Sequence, residues 1–196
     1  MLETYDQEIR QAFHKKKLKM QHASEDTIVV DELGIMHGAK RIDIAVVNGC
    51  IHGYEIKSSK DNLLRFSNQL TAYLKVMQKL TIILAPNHFE EVLSLVPDFV
   101  GITIAEKGTK GGIHFKCYRK AKMNPKVEPF SVAHLLWKAE VISIMEEIGI
   151  TKNLVSKTRH ELYSQLVEHI NLYELVRNIK ITFKSRANWR SELQPM

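Results

Sequence analysis

The sequence predicts an α/β fold, a mixed sheet flanked by helices, with a helical extension at its C-terminal end. Three observations predict it. Strand-like runs alternate with helical periodicity up to about residue 121. Thr81-Ile82-Ile83-Leu84-Ala85 is a fully apolar run closed by Pro86, the mark of a central strand covered on both faces. Beyond residue 130 the apolar spacing is helical throughout. Of 196 residues, 44% are hydrophobic and 26% charged, enough apolar content for a core and unlike a disordered segment.

The elements follow in order. Ile9 and Phe13 with flanking charges predict a helix from Leu2 to about Met20. Thr27–Val30 reads as a strand, with Asp31-Glu32-Leu33-Gly34 as its exit. Arg41–Val47 is a second strand with Ile42, Ile44 and Val46 on one face; Asn48-Gly49 turns the chain and Ile51–Lys57 is a third. Phe66, Leu70, Tyr73, Leu74 and Met77 form the stripe of a helix over Leu63–Leu80. After the Thr81–Ala85 strand come a short helix, Phe89–Leu95, and two strands, Gly101–Ala105 and Ile113–Tyr118, joined by a glycine-rich turn.

Residues 1–122 thus read as one α/β domain, 123–130, with Pro125 and Pro129, as a linker, and 131–196 as a helical region. In that region the stripe from Val132 to Met145 predicts one helix ending at Gly149, Glu161–Ile170 a second, and the Asn171/Glu174 capping box opens a third. Its Lys157, Arg159, Lys180, Lys184, Arg186 and Arg190 are compatible with a helix-turn-helix-like DNA contact. Its apolar stripes fit better with packing on the sheet or a homodimer interface. Trp189 is read as an anchor for the basic tail.

No run of eighteen apolar residues occurs and the first residues lack a basic-then-apolar leader, so a cytoplasmic protein without a membrane partner is expected. Cys50 and Cys117 have no metal-ligand spacing and read as core or turn residues. A net charge of +6 suits a polyanionic partner. The run His14-Lys15-Lys16-Lys17 fits phosphate contacts and a solvated helix face equally.

Three residues break the strand pattern around the turn. Asp43 lies in an apolar strand, and Glu55 and Lys57, two apart, share a face of the next. Charges in mid-sheet cost several kcal/mol, by order of magnitude, unless paired or metal-bound. A two-residue Asn48-Gly49 turn would set Asp43 opposite Tyr54, on the wrong face. A three-residue loop, Val47-Asn48-Gly49, with Gly49 left-handed, sets it opposite Gly53, and the two carboxylates become diagonal neighbours about 7–8 Å apart. Gly53 would then leave room for an ion. Asp43, Glu55 and the Ile56 carbonyl would hold Mg²⁺ or Mn²⁺. Lys57 would orient the attacking water or offset charge on the phosphorane. A charge ladder of Asp43 and Glu55 against Arg41 and Lys57 fits the same residue types, and these alone leave both open. Lys40 and Arg41 precede the site and suit either phosphate contacts or an ordinary strand edge.

The order helix, strand, Asp-bearing strand, Asn-Gly turn, Glu-x-Lys strand, helix, apolar strand resembles the PD-(D/E)XK, or restriction-endonuclease-like, superfamily over roughly residues 1–121. The stretch GAKRIDIAVVNGCIHGYEIKS is similar to an uncharacterised bacterial and phage family within it, and also resembles archaeal Holliday-junction resolvases. The resemblance implies a Mg²⁺- or Mn²⁺-dependent deoxyribonuclease with DNA as partner, acting in repair, recombination or phage defence. Gln69 and Tyr73 resemble the QxxxY motif of RecB-type nucleases, which would touch a DNA phosphate and the lysine region. The superfamily's first acidic residue most resembles Glu8, with Glu32 as its competitor. The alternatives are a non-catalytic DNA-binding protein of the same fold and an oligomerising interaction module.

Overall fold

Six strands form one mixed sheet in sequential order: β1 (Ile28–Ile35), β2 (Lys40–Val47), β3 (Ile51–Lys57), β4 (Lys79–Leu84), β5 (Gly101–Lys107) and β6 (Ile113–Arg119). The computed structural model describes residues 2–186. Strands β1 to β3 are antiparallel, β3–β4 and β4–β5 parallel, and β5–β6 antiparallel. The parallel pairs require crossovers, which α3 (Phe66–Val76) and α4 (Phe89–Leu95) supply. As expected of a strand covered on both faces, Leu80 and Ile82–Leu84 of β4 are buried.

Helix α1 (Asp6–Lys17) and the short α2 (Lys19–Ala23) belong to one side of the sheet. There Ile9, Phe13 and Leu18 close over Ile44, Val46, Ile56 and Ile83. The larger core lies on the other side. It unites α3 with α5 (Pro129–Ala133), α6 (Lys138–Glu147), α7 (Arg159–His169) and α8 (Leu172–Ser185) in one cluster, from Leu33 and Ile82 to Leu162 and Phe183. The helical region therefore packs on the sheet and completes its core.

Segment 123–130, read as a linker, is a strap. Buried Asn124 donates from Nδ2 to the Leu74 and Met77 carbonyls, its N–H reaches the Gln78 carbonyl, and Glu128 N–H bonds Lys75 O. The single helix expected over Val132–Met145 is two, α5 and α6, parted at 134–137. The helix expected over Leu63–Leu80 stops at Val76, because Lys79 and Leu80 already pair with β3. Strand β1 runs through Asp31–Gly34 rather than ending there. The Asn171/Glu174 capping box opens α8 as expected, with reciprocal bonds of 3.0 Å. Trp189 and Arg190 lie outside the described residues.

Candidate functional site

The hairpin that carries the acidic residues closes through Asn48-Gly49-Cys50, with Val47 paired to Ile51, Ala45 to Gly53 and Ile44 to Tyr54. It has three residues and a positive φ of 113° at Gly49, but it sits one residue later than expected. One step beyond the Ile44–Tyr54 pair, Asp43 faces Glu55 itself rather than Gly53. The space at Gly53 serves packing instead: a Cβ there would lie 2.4 Å from Ile42 Cδ1 and 2.9 Å from Met77 Sδ.

At Asp43 the strands part. The β2–β3 ladder ends at Ile44, and Asp43 Oδ2 accepts the Ile56 N–H at 2.6 Å, so a carboxylate replaces a backbone acceptor. Across β1, Glu32 sits between the Asp31–Ile44 and Leu33–Ile42 pairs with φ of 51°, a left-handed backbone rare for a non-glycine residue. The alternation of β2 breaks beside it: Ile44 joins the α1-side core, Ile42 the larger one.

This opening collects charge. Arg10, from α1, donates through Nη1 to the Asp43 carbonyl at 2.7 Å and through Nη2 to Asp43 Oδ1 at 2.9 Å. The same Nη2 reaches Glu32 at 2.6 Å and Asp6 at 3.1 Å. Glu55 is 3% exposed. Its Oε1 accepts from Lys57 Nζ at 2.8 Å, while Oε2 is buried with no hydrogen-bond partner. Burial first, and the Glu55 charge second, push Asp43 up to about 8; burial also raises Glu55. Two carboxyls facing each other in a dry setting resist carrying two charges.

Lys57 Nζ also donates to Gln69 Oε1 at 3.1 Å, and Gln69 Nε2 to the Tyr73 hydroxyl at 3.3 Å. Asp43, Glu55, Lys57 and Gln69 are thus gathered in one place, with the Ile56 backbone beside them. Glu32 reaches it through Arg10. Glu8 does not. It caps its own helix at Tyr5 N–H and pairs with Lys107 at 2.7 Å, two residues and so about half a turn from the position that Arg10 occupies. Tyr73 is fully buried and its hydroxyl donates to the Arg41 carbonyl at 2.7 Å. It braces Gln69 and β2 instead of offering a surface donor to DNA. Lys40 is half-buried and Arg41 exposed at the same strand end.

Arg10 and the left-handed backbone at Glu32 are what sequence reasoning missed. An arginine in an amphipathic helix carries no local signal; its role appears only once α1 crosses the β2 carboxylate. The basic residues of the helical region are largely engaged: Lys180 and Lys184 pair with Asp26, and Arg186 with Glu140 while covering the Trp137 ring. Among the described residues no group of three or more His, Cys, Asp and Glu side chains could hold a metal ion. No helix among them is long and apolar enough to cross a membrane.

A fold of this kind, an α/β sandwich with a buried acidic pair at parting strands, belongs here to a phage family. The family described as bacteriophage P4 protein cII matches residues 2–192, and the chain is a member of it. Protein cII of Enterobacteria phage P4 is 29% identical over 126 residues, 64% of this chain. The match spans 47% of that relative, about half its length. Among solved structures, a protein of unknown function from Silicibacter pomeroyi is similar, with a TM-score of 0.45 and 15% identity over 81% of this chain and 99% of that one.

Proposed function

We propose that the chain is a divalent-metal-dependent DNA nuclease with a restriction-endonuclease-like, PD-(D/E)XK core. The observation that carries the reading is the facing pair of carboxyls, Asp43 and Glu55, both pushed up in pKa, with Glu55 Oε2 buried beside Asp43 and Tyr73 and forming no hydrogen bond of ordinary geometry. An unpartnered buried carboxylate oxygen costs about 1–3 kcal/mol or more, and a hard cation satisfies it. Mg²⁺ is commonly held by only one or two carboxylates with several waters, so Asp43, Glu55 and the Ile56 carbonyl are a donor set of suitable kind. Such an ion supplies Lewis acidity at a phosphate and a more acidic bound water.

The chain's own residues do the rest. Lys57 brings a positive charge beside Glu55, anchored by Gln69 so that its Nζ keeps one direction. A fixed ammonium at that point offsets charge that builds on a phosphate in the transition state. Asp43, clamped by Arg10 and Ile56 N–H, retains a lone pair on each oxygen. Lys40 and Arg41, at the end of β2, suit the flanking phosphates of a DNA strand.

A second reading rests on Arg10. Its guanidinium already gives Asp43 a cationic partner, which favours a non-catalytic DNA-binding protein that keeps the fold. Supercoiled, linear and branched DNA incubated with Mg²⁺, Mn²⁺ or EDTA separates the two. Cleavage with either metal, lost in Asp43→Asn, Glu55→Gln and Lys57→Ala, supports the nuclease. DNA binding without cleavage in any metal supports the second reading, and cleavage that survives all three substitutions removes this site.

A further inference from the structure

The α1-side face of the sheet changes character along β3 to β6. In β3, core Ile56 gives way on the same face to Tyr54 and then His52. In β4, Ile83 gives way to Thr81 and Lys79; in β5, Ala105 to Thr103; in β6, Ile113 and Phe115 to Cys117 and Arg119. Helix α1 covers the apolar half. The polar half floors a concavity of about 290 Å³ beside Phe13 and Leu18.

Four cations rim it: Lys17, Lys79, Arg119 and Lys120. Among the described residues no carboxylate lines it. Arg119 is partnered by Asp98 and by the Val100 and Pro97 carbonyls, whereas Lys17, Lys79 and Lys120 form no ion pair among the described residues.

The floor is an ordered polar chain. The Tyr54 hydroxyl lies 3.1 Å from His52 Nδ1, and His52 Nε2 lies 2.9 Å from Thr81 Oγ1. Burial and the Lys79 charge hold His52 neutral, its pKa pulled down to about 3. A neutral imidazole has one donor and one acceptor. Whichever tautomer is present, one hydroxyl hydrogen, on Thr81 or on Tyr54, has no acceptor among the described residues and is left for a ligand.

We propose that this concavity binds a phosphate-bearing anion, held by Lys17, Lys79 and Lys120 and by the terminal hydroxyl of the Tyr54–His52–Thr81 chain. The three ammonium groups answer the charge, and the hydroxyl donates to one phosphate oxygen. The site stands on the opposite side of the sheet from Lys57 and Gln69 and does not depend on metal chemistry there. The source of the phosphate is either a nucleic-acid backbone or a free phosphate ester.

The test uses the full chain in EDTA, so that a cation at Asp43 and Glu55 contributes nothing. Cys117, exposed at the rim, reports occupancy: in a Cys50→Ser background its alkylation is timed with inorganic phosphate, AMP or a twelve-residue oligo-dT, beside calorimetric titration of each. Occupancy is expected to slow alkylation at least fivefold. Lys79→Gln with Lys120→Gln is expected to weaken binding at least tenfold, and Tyr54→Phe with Thr81→Val at least threefold, with unaltered circular dichroism in the lysine variant. Binding by oligo-dT at concentrations where phosphate and AMP give none assigns the backbone; binding by phosphate and AMP alone assigns a free ester. No protection of Cys117 by any probe, or affinities indifferent to the lysine pair, overturns the proposal.

Discussion

Arg10 holds Asp43 at two points, its backbone carbonyl at 2.7 Å and its carboxylate at 2.9 Å. One side chain thereby fixes both the path of β2 and the rotamer of its acid. Arg10→Gln is expected to leave Asp43 without its cation and to cost about 3–5 kcal/mol, the range for breaking a largely buried pair. Urea unfolding measures it, and a loss under about 0.5 kcal/mol, the size of an exposed pair, would show that α1 is held by its apolar face alone.

The paired carboxyls predict a pH dependence. Asp43 is raised from 3.8 to about 8 in the folded chain. A carboxyl raised by folding binds its proton more tightly there, so its stabilising contribution is complete in acid and is lost as pH climbs to about 8. The melting temperature should therefore decline between about pH 4 and pH 8, and Asp43→Asn should flatten the decline. A wild-type curve rising across that window contradicts the burial of this pair.

A divalent cation at the pair should displace that proton and stabilise the fold. At a concentration tenfold above Kd the gain is about 1.4 kcal/mol, and calorimetry in buffers of different ionisation enthalpy should register proton release at pH 7. Glu55→Gln should abolish both. A melting temperature equally raised by Mg²⁺ in wild type and Glu55→Gln would place the ion elsewhere.

Gly53 is set by packing against Ile42 and Met77. Gly53→Ala is expected to cost about 1–3 kcal/mol through overpacking and to shift the neighbouring acids enough to weaken any Mn²⁺ binding. A neutral effect in thermal melting would mean that the Met77 thioether, flexible by nature, simply moves aside.

The Asn171 cap offers a distant control. Asn171→Ala removes the acceptor for Glu174 N–H and should cost about 1 kcal/mol while leaving Mn²⁺ affinity unchanged. An affinity that falls with it would tie α8 to the acidic pair.

The succession of elements and the helix periodicity were open to sequence reasoning because burial repeats at fixed spacing: β4 read as covered on both faces, and α4 matched end to end. Glu55 and Lys57 could be placed together because strand period gives them one face, whereas Asp43 meets them through a parting of β2 and a register that differs from the expected one. What was hidden depends on non-local geometry. The hairpin slipped by one residue because Cys50, not Val47, completes the loop, a choice that Asn-Gly alone does not dictate. Glu8 and Arg10 sit two apart on one helix, and only the crossing of α1 over β2 decides which of them meets Asp43. The break between α5 and α6 was masked by an apolar stripe that continues across it, since Leu135 and Leu136 are buried in the connecting segment as well.

The larger core, shared by the sheet and helices α5 to α8, has a consequence for how the molecule comes apart. With no apolar boundary between the two halves, they form a single cooperative unit, and the strap anchored by Asn124 couples them mechanically. Protection of the β4 amides in hydrogen exchange should therefore vanish together with that of α7, with one opening free energy. Lesions far from Asp43, at Leu162 or Phe183, would silence the acidic pair by unfolding the floor beneath it.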